Sequence, residues 1–224
     1  MISVVIPALD EEQALPATLR TVLEQRQEYD EVIVVDGGSG DATRTIAAAT
    51  GGVRLISAPR GRATQMNAGA GIARREWLLF LHADTLLPRD GLARIAALPV
   101  AVQAGCFRQR FSGSDTRLRL VSRLHNFRCR RTGVMYGDQA MFVRKRQFEA
   151  LGGFPPLDIL EDIVFSERLL RVTRPTLLPA EVVTDSRKFV QRGVFRSLAR
   201  CLAILLCYEL HLPIPARSFF DPVR

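Results

Sequence analysis

The chain is short of lysine, cysteine, aromatic residues and long apolar runs, and each shortage narrows what it can be. Only Lys145 and Lys188 are lysines among 31 basic residues, so almost all positive charge is arginine. The four cysteines, Cys106, Cys129, Cys201 and Cys207, form no Cys-x-x-Cys pair, which argues against a zinc site. They read as small core residues in a reducing compartment. No apolar run reaches the roughly 18 residues a membrane span needs. Met1 leads straight into Ile2-Ser3-Val4-Val5-Ile6 with nothing resembling a leader, so the expectation is a cytoplasmic chain. Aromatics make up 7%, too few and too scattered to build a stacking surface for nucleic acid among the arginines. There is no internal repeat, linker or low-complexity tract.

What is present fits one large α/β domain. At 224 residues the chain should bury roughly 70% of its unfolded surface without staples. Hydrophobic residues are 47% and charged ones 24%, the balance of a globular protein. The net charge of +8, carried by arginine forks, calls for an anionic partner: nucleic acid, a membrane surface or a phosphorylated small molecule.

The first third alternates strand and helix. Ser3 to Ile6 is a β-branched run stopped by Pro7, and Ala14 to Gln25 has helical spacing at Leu15, Leu19, Val22 and Leu23. Glu31 to Val35 is a second strand, followed by a helix from Asp41 with Asp41 as its cap. Val53 to Ser57, Arg62 to Ala73 and Trp77 to Leu81 continue the rhythm. Such alternation predicts a mostly parallel sheet with helices on both faces and a ligand site at the strand C-termini. Further on, the pattern predicts strands over Gln103 to Phe111 and Asp138 to Val143, and an arginine-rich helix over Asp115 to Arg131. Helices are expected over Arg146 to Leu151 and, closing the chain, over the apolar Val194 to Leu210, stopped by Pro213 and Pro215. The expected division is residues 1–190 as the main domain and 191–224 as a terminal helical segment packed on it or at an interface.

Four segments should converge at the strand ends: Pro7 to Glu12, Asp36 to Asp41, Ala58 to Arg62 and His82 to Thr85. Alone, Asp36 reads as a turn aspartate; with Asp10 and Asp84 at neighbouring strand ends it becomes part of a site pattern. Beside Gly37 and Gly38 its carboxylate suits an imide N–H or a ribose hydroxyl. In His82-Ala83-Asp84, alternate residues share a face; the Asp84 carboxylate suits Mg²⁺ or Mn²⁺ on a diphosphate, or else caps a helix. Arg60 and Arg62, at a helix start, offer an anion site or a solvated basic turn. Glu161 and Asp162 read by spacing alone as acids at a helix N-terminus; the closeness of like charges would also raise one pKa toward general-base duty. His125 and His211 read as structural.

Taken in order, Val4-Val5-Ile6-Pro7-Ala8-Leu9-Asp10-Glu11-Glu12, Val34-Val35-Asp36-Gly37-Gly38-Ser39-Gly40-Asp41, Leu79-Phe80-Leu81-His82-Ala83-Asp84 and Glu161-Asp162 resemble the family 2 glycosyltransferases of GT-A fold. Pro59-Arg60-Gly61-Arg62-Ala63 to Asn67 and Tyr136-Gly137-Asp138-Gln139 are similar to a small bacterial subgroup labelled arsenosugar-biosynthesis or radical-enzyme-associated glycosyltransferase. The resemblance implies inverting transfer from a nucleoside diphosphate sugar, of UDP or GDP type. It implies that Asp10, Glu12 and Asp36 hold base and ribose, with Pro7, Ala8, Gly37 and Ala83 lining the nucleotide and Arg62 and Asn67 near the diphosphate. It further implies Asp84, with His82 as a second candidate, for the divalent metal, Mn²⁺ or Mg²⁺, and Asp162 as the base supported by Glu161.

Two departures from the family pattern stand out. The usual Asp-x-Asp reads His82-Ala83-Asp84, which leaves open which metal is used and how strictly. The Gln-x-x-Arg-Trp of processive members is absent, and Ser186-Arg187-Lys188-Phe189 stands nearby, which argues for single transfer. A dinucleotide-binding oxidoreductase is excluded because the first turn carries acids where Gly-x-Gly-x-x-Gly belongs. A relative that binds nucleotide sugars without turning them over is the alternative. The terminal helix has an apolar face at Val194, Leu198, Leu202, Leu205 and Leu206 with Arg196 and Arg200 outside it. That suits core packing, a homodimer, or peripheral contact with the inner membrane face, the last matching a lipid-linked acceptor.

Overall fold

The structure, a computed structural model, describes residues 1–212 and 214. The first half is β1 (Ile2–Ala8), α1 (Leu15–Leu23), β2 (Glu31–Asp36), α2 (Thr43–Ala49), β3 (Val53–Ser57), α3 (Arg62–Ile72) and β4 (Trp77–Phe80). Then come β5 (Thr85–Leu86), α4 (Gly91–Ala96), β6 (Ala104–Phe111), α5 (Thr116–Thr132), a 3-10 turn (Gly137–Gln139), β7 (Phe142–Arg144) and α6 (Lys145–Ala150). The chain closes with α7 (Glu161–Leu170), β8 (Thr176–Thr184), α8 (Arg187–Gln191) and α9 (Val194–Glu209).

One sheet of eight strands runs β3-β2-β1-β4-β7-β6-β8-β5 among the described residues. β3, β2, β1 and β4 are parallel, as the alternating sequence predicts, and β7 then pairs antiparallel with both β4 and β6. Residues alternate between the two faces of β1. Val4 and Ile6 join the core under α1 with Leu19 and Val22, whereas Val5 packs with Met66 and Ala70 of α3. Both faces are covered, which is why β1 and β4 are wholly buried and, but for Ser3, apolar.

Several boundaries differ from the sequence reading, each for a local reason. Pro7 does not stop β1; it pairs opposite Val35 and the strand runs on to Ala8. The Val5 carbonyl faces β4, accepting from Leu81 N at 3.0 Å, while the Ala8 carbonyl faces β2. Pro7 therefore faces the β4 side, where pairing has already ended at Val5 and Phe80, and its missing N–H is not needed. Helix α2 starts at Thr43, and Asp41 caps from outside, its Oδ1 accepting the Thr43 N–H at 2.9 Å. The strand expected from Asp138 begins only at Phe142, because Ala140 takes φ 48° and breaks the extended run. β8 carries Pro179 inside a register shift opposite Phe107 and Arg108, a bulge that tolerates proline. Cys106 and Cys129 are core residues as read, but Cys201 and Cys207 are only partly covered. The helix stops assigned to Pro213 and Pro215 lie outside the described residues. No helix among the described residues is long and apolar enough to cross a membrane.

Candidate active site

The C-terminal ends of β1, β2 and β4 open onto one rim, and the loops after β1 and β2 are fastened to each other. Asp10, held at φ 53°, accepts the Gly40 N–H at 2.8 Å through Oδ1, and its own N–H donates to Ser39 Oγ at 3.0 Å. Glu12 Oε2 accepts from Ala42 N at 3.0 Å, and Glu12 N donates to Asp41 Oδ2 at 3.0 Å. Asp10 and Glu12 stay exposed at the rim, with lone pairs to spare beyond these bonds. Asp36 is different. Its carboxylate is fully buried and accepts the N–H of Gly38 and of Ser39, each at 3.1 Å, with Arg44 Nη1 3.4 Å away. Burial pushes its pKa up, but the bonds from Ser39, Gly38 and Arg44 outweigh that and hold it below the ordinary 3.8. Asp36 thus shapes the glycine turn.

Gln65, inside α3, is the fastener that the site assignments from sequence leave out. Its Nε2 donates to the carbonyls of Ala8 and Val35, both at 2.8 Å, clamping the ends of β1 and β2 side by side. A Cβ on Gly37 would come within 2.9 Å of the Gln65 side chain, so glycine there permits the close approach. The sequence signal was a polar residue one turn into a helix whose neighbours, Ala63, Met66 and Ala70, are core. Pro7, Ala8 and Ala83 are buried, and the Ala83 carbonyl accepts from Thr18 Oγ1 at 2.8 Å.

The acidic pair sits at the start of α7. Leu160 takes φ 65°, a left-handed turn costing about 1 kcal/mol or more, and sends the next two side chains in different directions. Glu161 is buried and ion-paired with Arg62 Nε. Burial pushes the Glu161 carboxyl upward; Arg62 opposes that and the neighbouring Asp162 adds to it. On Arg62 burial acts downward, but Glu161 and Asp162 more than compensate and its pKa is raised. Asp162 is half-buried and faces the other way, Oδ2 accepting Gly137 N at 2.6 Å and Oδ1 its own helix's Ile163 N at 2.8 Å. A Cβ at Gly137 would lie 2.7 Å from His82 Nε2 and 3.4 Å from Asp162 Oδ2. His82, Gly137 and Asp162 therefore meet at one point.

Other assigned residues fall elsewhere. Asn67 uses both ends of its amide on Phe154, donating to its carbonyl at 2.8 Å and accepting its N–H at 3.0 Å. It pins the glycine–proline loop that leads to α7. Asp84 is half-buried at the end of the β4 loop, its carbonyl accepting Asp185 N at 3.0 Å. Among the described residues no group of three or more His, Cys, Asp or Glu side chains could hold a metal. Behind Gly137, His125 Nε2 lies 3.5 Å from Asp138 Oδ1 and the Arg128 guanidinium stacks 3.5 Å above the Tyr136 ring. Burial holds His125 below its ordinary pKa and pushes the Tyr136 phenol up to about 12.

Comparison with known proteins gives the family and the fold. The family model for Glycosyl transferase family 2 matches residues 3–150. The chain is 42% identical over 104 residues to a PGL/p-HBAD biosynthesis glycosyltransferase of Mycobacterium tuberculosis and of Mycobacterium bovis, covering 43% of this chain and 41% of theirs. It thus spans less than half the length of these curated relatives. Among solved structures it resembles mannosyltransferase PcManGT from Pyrobaculum calidifontis in complex with GDP-Man and Mn²⁺, at TM-score 0.70 and 23% identity, covering 95% of this chain and 64% of that one. Staphylococcus aureus TarS 1-349 in complex with UDP-GlcNAc matches at TM-score 0.66 and 19% identity, covering 92% of this chain and 66% of that one. At these identities the likeness shows the fold: GT-A, a mixed α/β sheet flanked by helices.

Proposed function

The chain belongs to glycosyl transferase family 2, and from that premise we propose that it moves one sugar from a nucleoside diphosphate sugar to an acceptor hydroxyl, inverting the anomeric carbon. The observation that carries this reading is the placement of Asp162. Two backbone N–H groups fix its carboxylate, and two of its lone-pair directions are left for a hydroxyl. Asp162 takes the acceptor proton, the acceptor oxygen bonds to the anomeric carbon, and the bond from that carbon to the diphosphate oxygen breaks. Arg62, held by Glu161, stands close to Asp162 as a fixed positive charge on the diphosphate side. Asp10 and Glu12 are placed at the rim for base and ribose, with Asp36, Gly37 and Gln65 fixing the turn on which the nucleotide rests.

A divalent metal, Mn²⁺ or Mg²⁺, fits this donor set only with the diphosphate present, since Asp84 and His82 are too few to hold one alone. Asp84 would supply the carboxylate and His82 a second contact; the ion would offset charge on the leaving diphosphate. The departure from Gln-x-x-Arg-Trp favours a single transfer per encounter. The acceptor is proposed to be lipid-linked, with α9 meeting either the inner membrane face or a second copy.

The test is a panel of UDP- and GDP-sugars with and without Mn²⁺, read by thermal shift and by release of nucleoside diphosphate. At least one donor should raise the melting temperature and be slowly cleaved, and Asp84→Ala should weaken the metal-dependent part. A panel with neither shift nor release would overturn the reading.

A further inference from the structure

The segment between Gly113 and Gly137 carries no decipherable motif as sequence, yet folded as α5 it has two distinct faces. The inner face is occupied. Leu118 and Ser122 are buried, Asn126 exchanges hydrogen bonds with the backbone of Gln109, and Arg128 stacks on Tyr136. The outer face is unusual. Leu120, Leu124 and Phe127 are 58%, 55% and 63% exposed, and their spacing of four and three puts them in one stripe. Arg119, Arg123 and Arg130 flank that stripe, all exposed, and the helix contains no acid.

Helix α9 extends the surface. Phe195, Leu202, Leu206 and Leu210 follow helical spacing and are each more than half exposed. The two helices are joined at their N-terminal ends, where Leu118 packs with Val194 and the Arg117 guanidinium lies 5.9 Å from the Phe195 ring centroid. Two stripes of exposed large apolar side chains, on helices that meet at their N-terminal ends, call for a partner.

The charge selects among partners. A second copy meeting this face across a two-fold would set one arginine-rich helix against another. Nucleic acid would satisfy the arginines, but five of the seven exposed apolar side chains are leucines, which offer a base little to stack on. An anionic bilayer satisfies both sets: leucines and phenylalanines enter the acyl boundary while arginines reach up to the phosphates. We propose that the outer faces of α5 and α9 dock this chain peripherally on an anionic phospholipid bilayer. The inner face of α5 backs the Tyr136-Gly137 segment that holds Asp162, so docking would hold the transfer site within one helix of the lipid. That last step rests on the transferase reading above; the docking itself does not.

The test is co-sedimentation of the full chain with vesicles of phosphatidylcholine alone and of phosphatidylcholine with phosphatidylglycerol, at low and high salt. Binding should need the anionic lipid and weaken with salt. Reversing three charges with Arg119→Glu, Arg123→Glu and Arg130→Glu should lower partitioning about tenfold or more. Leu120→Ser, Leu124→Ser and Phe127→Ser together, which leave charge unchanged, should lower it to a similar degree. Phe127→Ser alone serves if the triple variant loses the parental melting temperature. Absence of binding, equal binding to neutral vesicles, or an apolar variant that binds like the parent would overturn the proposal. So would a concentration-dependent dimer in sedimentation velocity that the apolar variant dissolves, or tight DNA binding lost with the arginines. Transfer to a soluble acceptor, assayed separately, reports on Asp162 and leaves the docking result standing either way.

Discussion

Gly137 donates its backbone N–H to Oδ2 of Asp162 at 2.6 Å, and the space a side chain at 137 would need is already approached to 2.7 Å by His82 Nε2. Here glycine is demanded by space, since its φ is not among the positive ones. The loop delivers a bare N–H to the carboxylate and lets an imidazole close in from the loop after β4.

Gly137→Ala should therefore damage turnover more than folding. The added methyl must displace His82 or shift Asp162, and a misplacement approaching about 1 Å costs up to about 100-fold in rate. Overpacking should lower stability by only about 1–3 kcal/mol. Steady-state kinetics beside a urea melt separate the two, and parental kcat in a folded variant would show that the slot is not required.

Asp162→Asn should lower transfer by about 100- to 10,000-fold while the donor-induced thermal shift is kept. The amide can still accept one of the two N–H bonds, so the start of α7 should hold its shape. A variant that turns over at the parental rate would remove Asp162 as the base.

The parallel half of the sheet was legible because its strands are short runs rich in β-branched and apolar residues between turn residues, and α1 shows clear helical spacing at Leu15, Leu19 and Val22. The rest of the sheet was legible only in part: β6 lies where a strand is expected over Gln103 to Phe111, but its neighbours gave weaker signals. β5 has two residues, β8 contains a proline at a bulge, and β7 follows a left-handed Ala140, so none shows a clean period. The site divides in the same way. Acids at strand ends were visible as residue types, but a sequence does not show whether a carboxylate faces a ligand or its own backbone. Asp36 and Asn67 bond to backbone; Glu161 finds Arg62 across 99 positions, a pairing set by the sheet and by no local pattern.

The Arg62–Glu161 pair should behave as a unit. Arg62→Met leaves Glu161 buried without this cation and should cost about 3 kcal/mol or more in a urea melt, whereas Glu161→Met should cost less because Asp162 and Asp138 still act on Arg62. The double variant should cost much less than the sum, since neither charge is left alone. Transfer should stay low in all three. Additive losses in the melts would show that the two residues are not energetically coupled.

Asp36 gives a pH signature with a definite sign. Its folded pKa lies below the ordinary 3.8, so as pH falls the unfolded chain takes up the proton first. The stability it contributes is present above 3.8 and is lost as pH drops through the lower, folded value. Asp36→Asn can satisfy only one of the Gly38 and Ser39 amides, because its second atom is itself a donor. At neutral pH the variant should be about 2 kcal/mol less stable than the parent. That gap should narrow below pH 3.8 and close once pH has fallen through the lower, folded value, where the parent carboxylate is protonated as well. Denaturant melts of both chains from neutral to acid pH measure it directly, and a gap that stays constant with pH would show that the ionised carboxylate is not what holds the glycine turn.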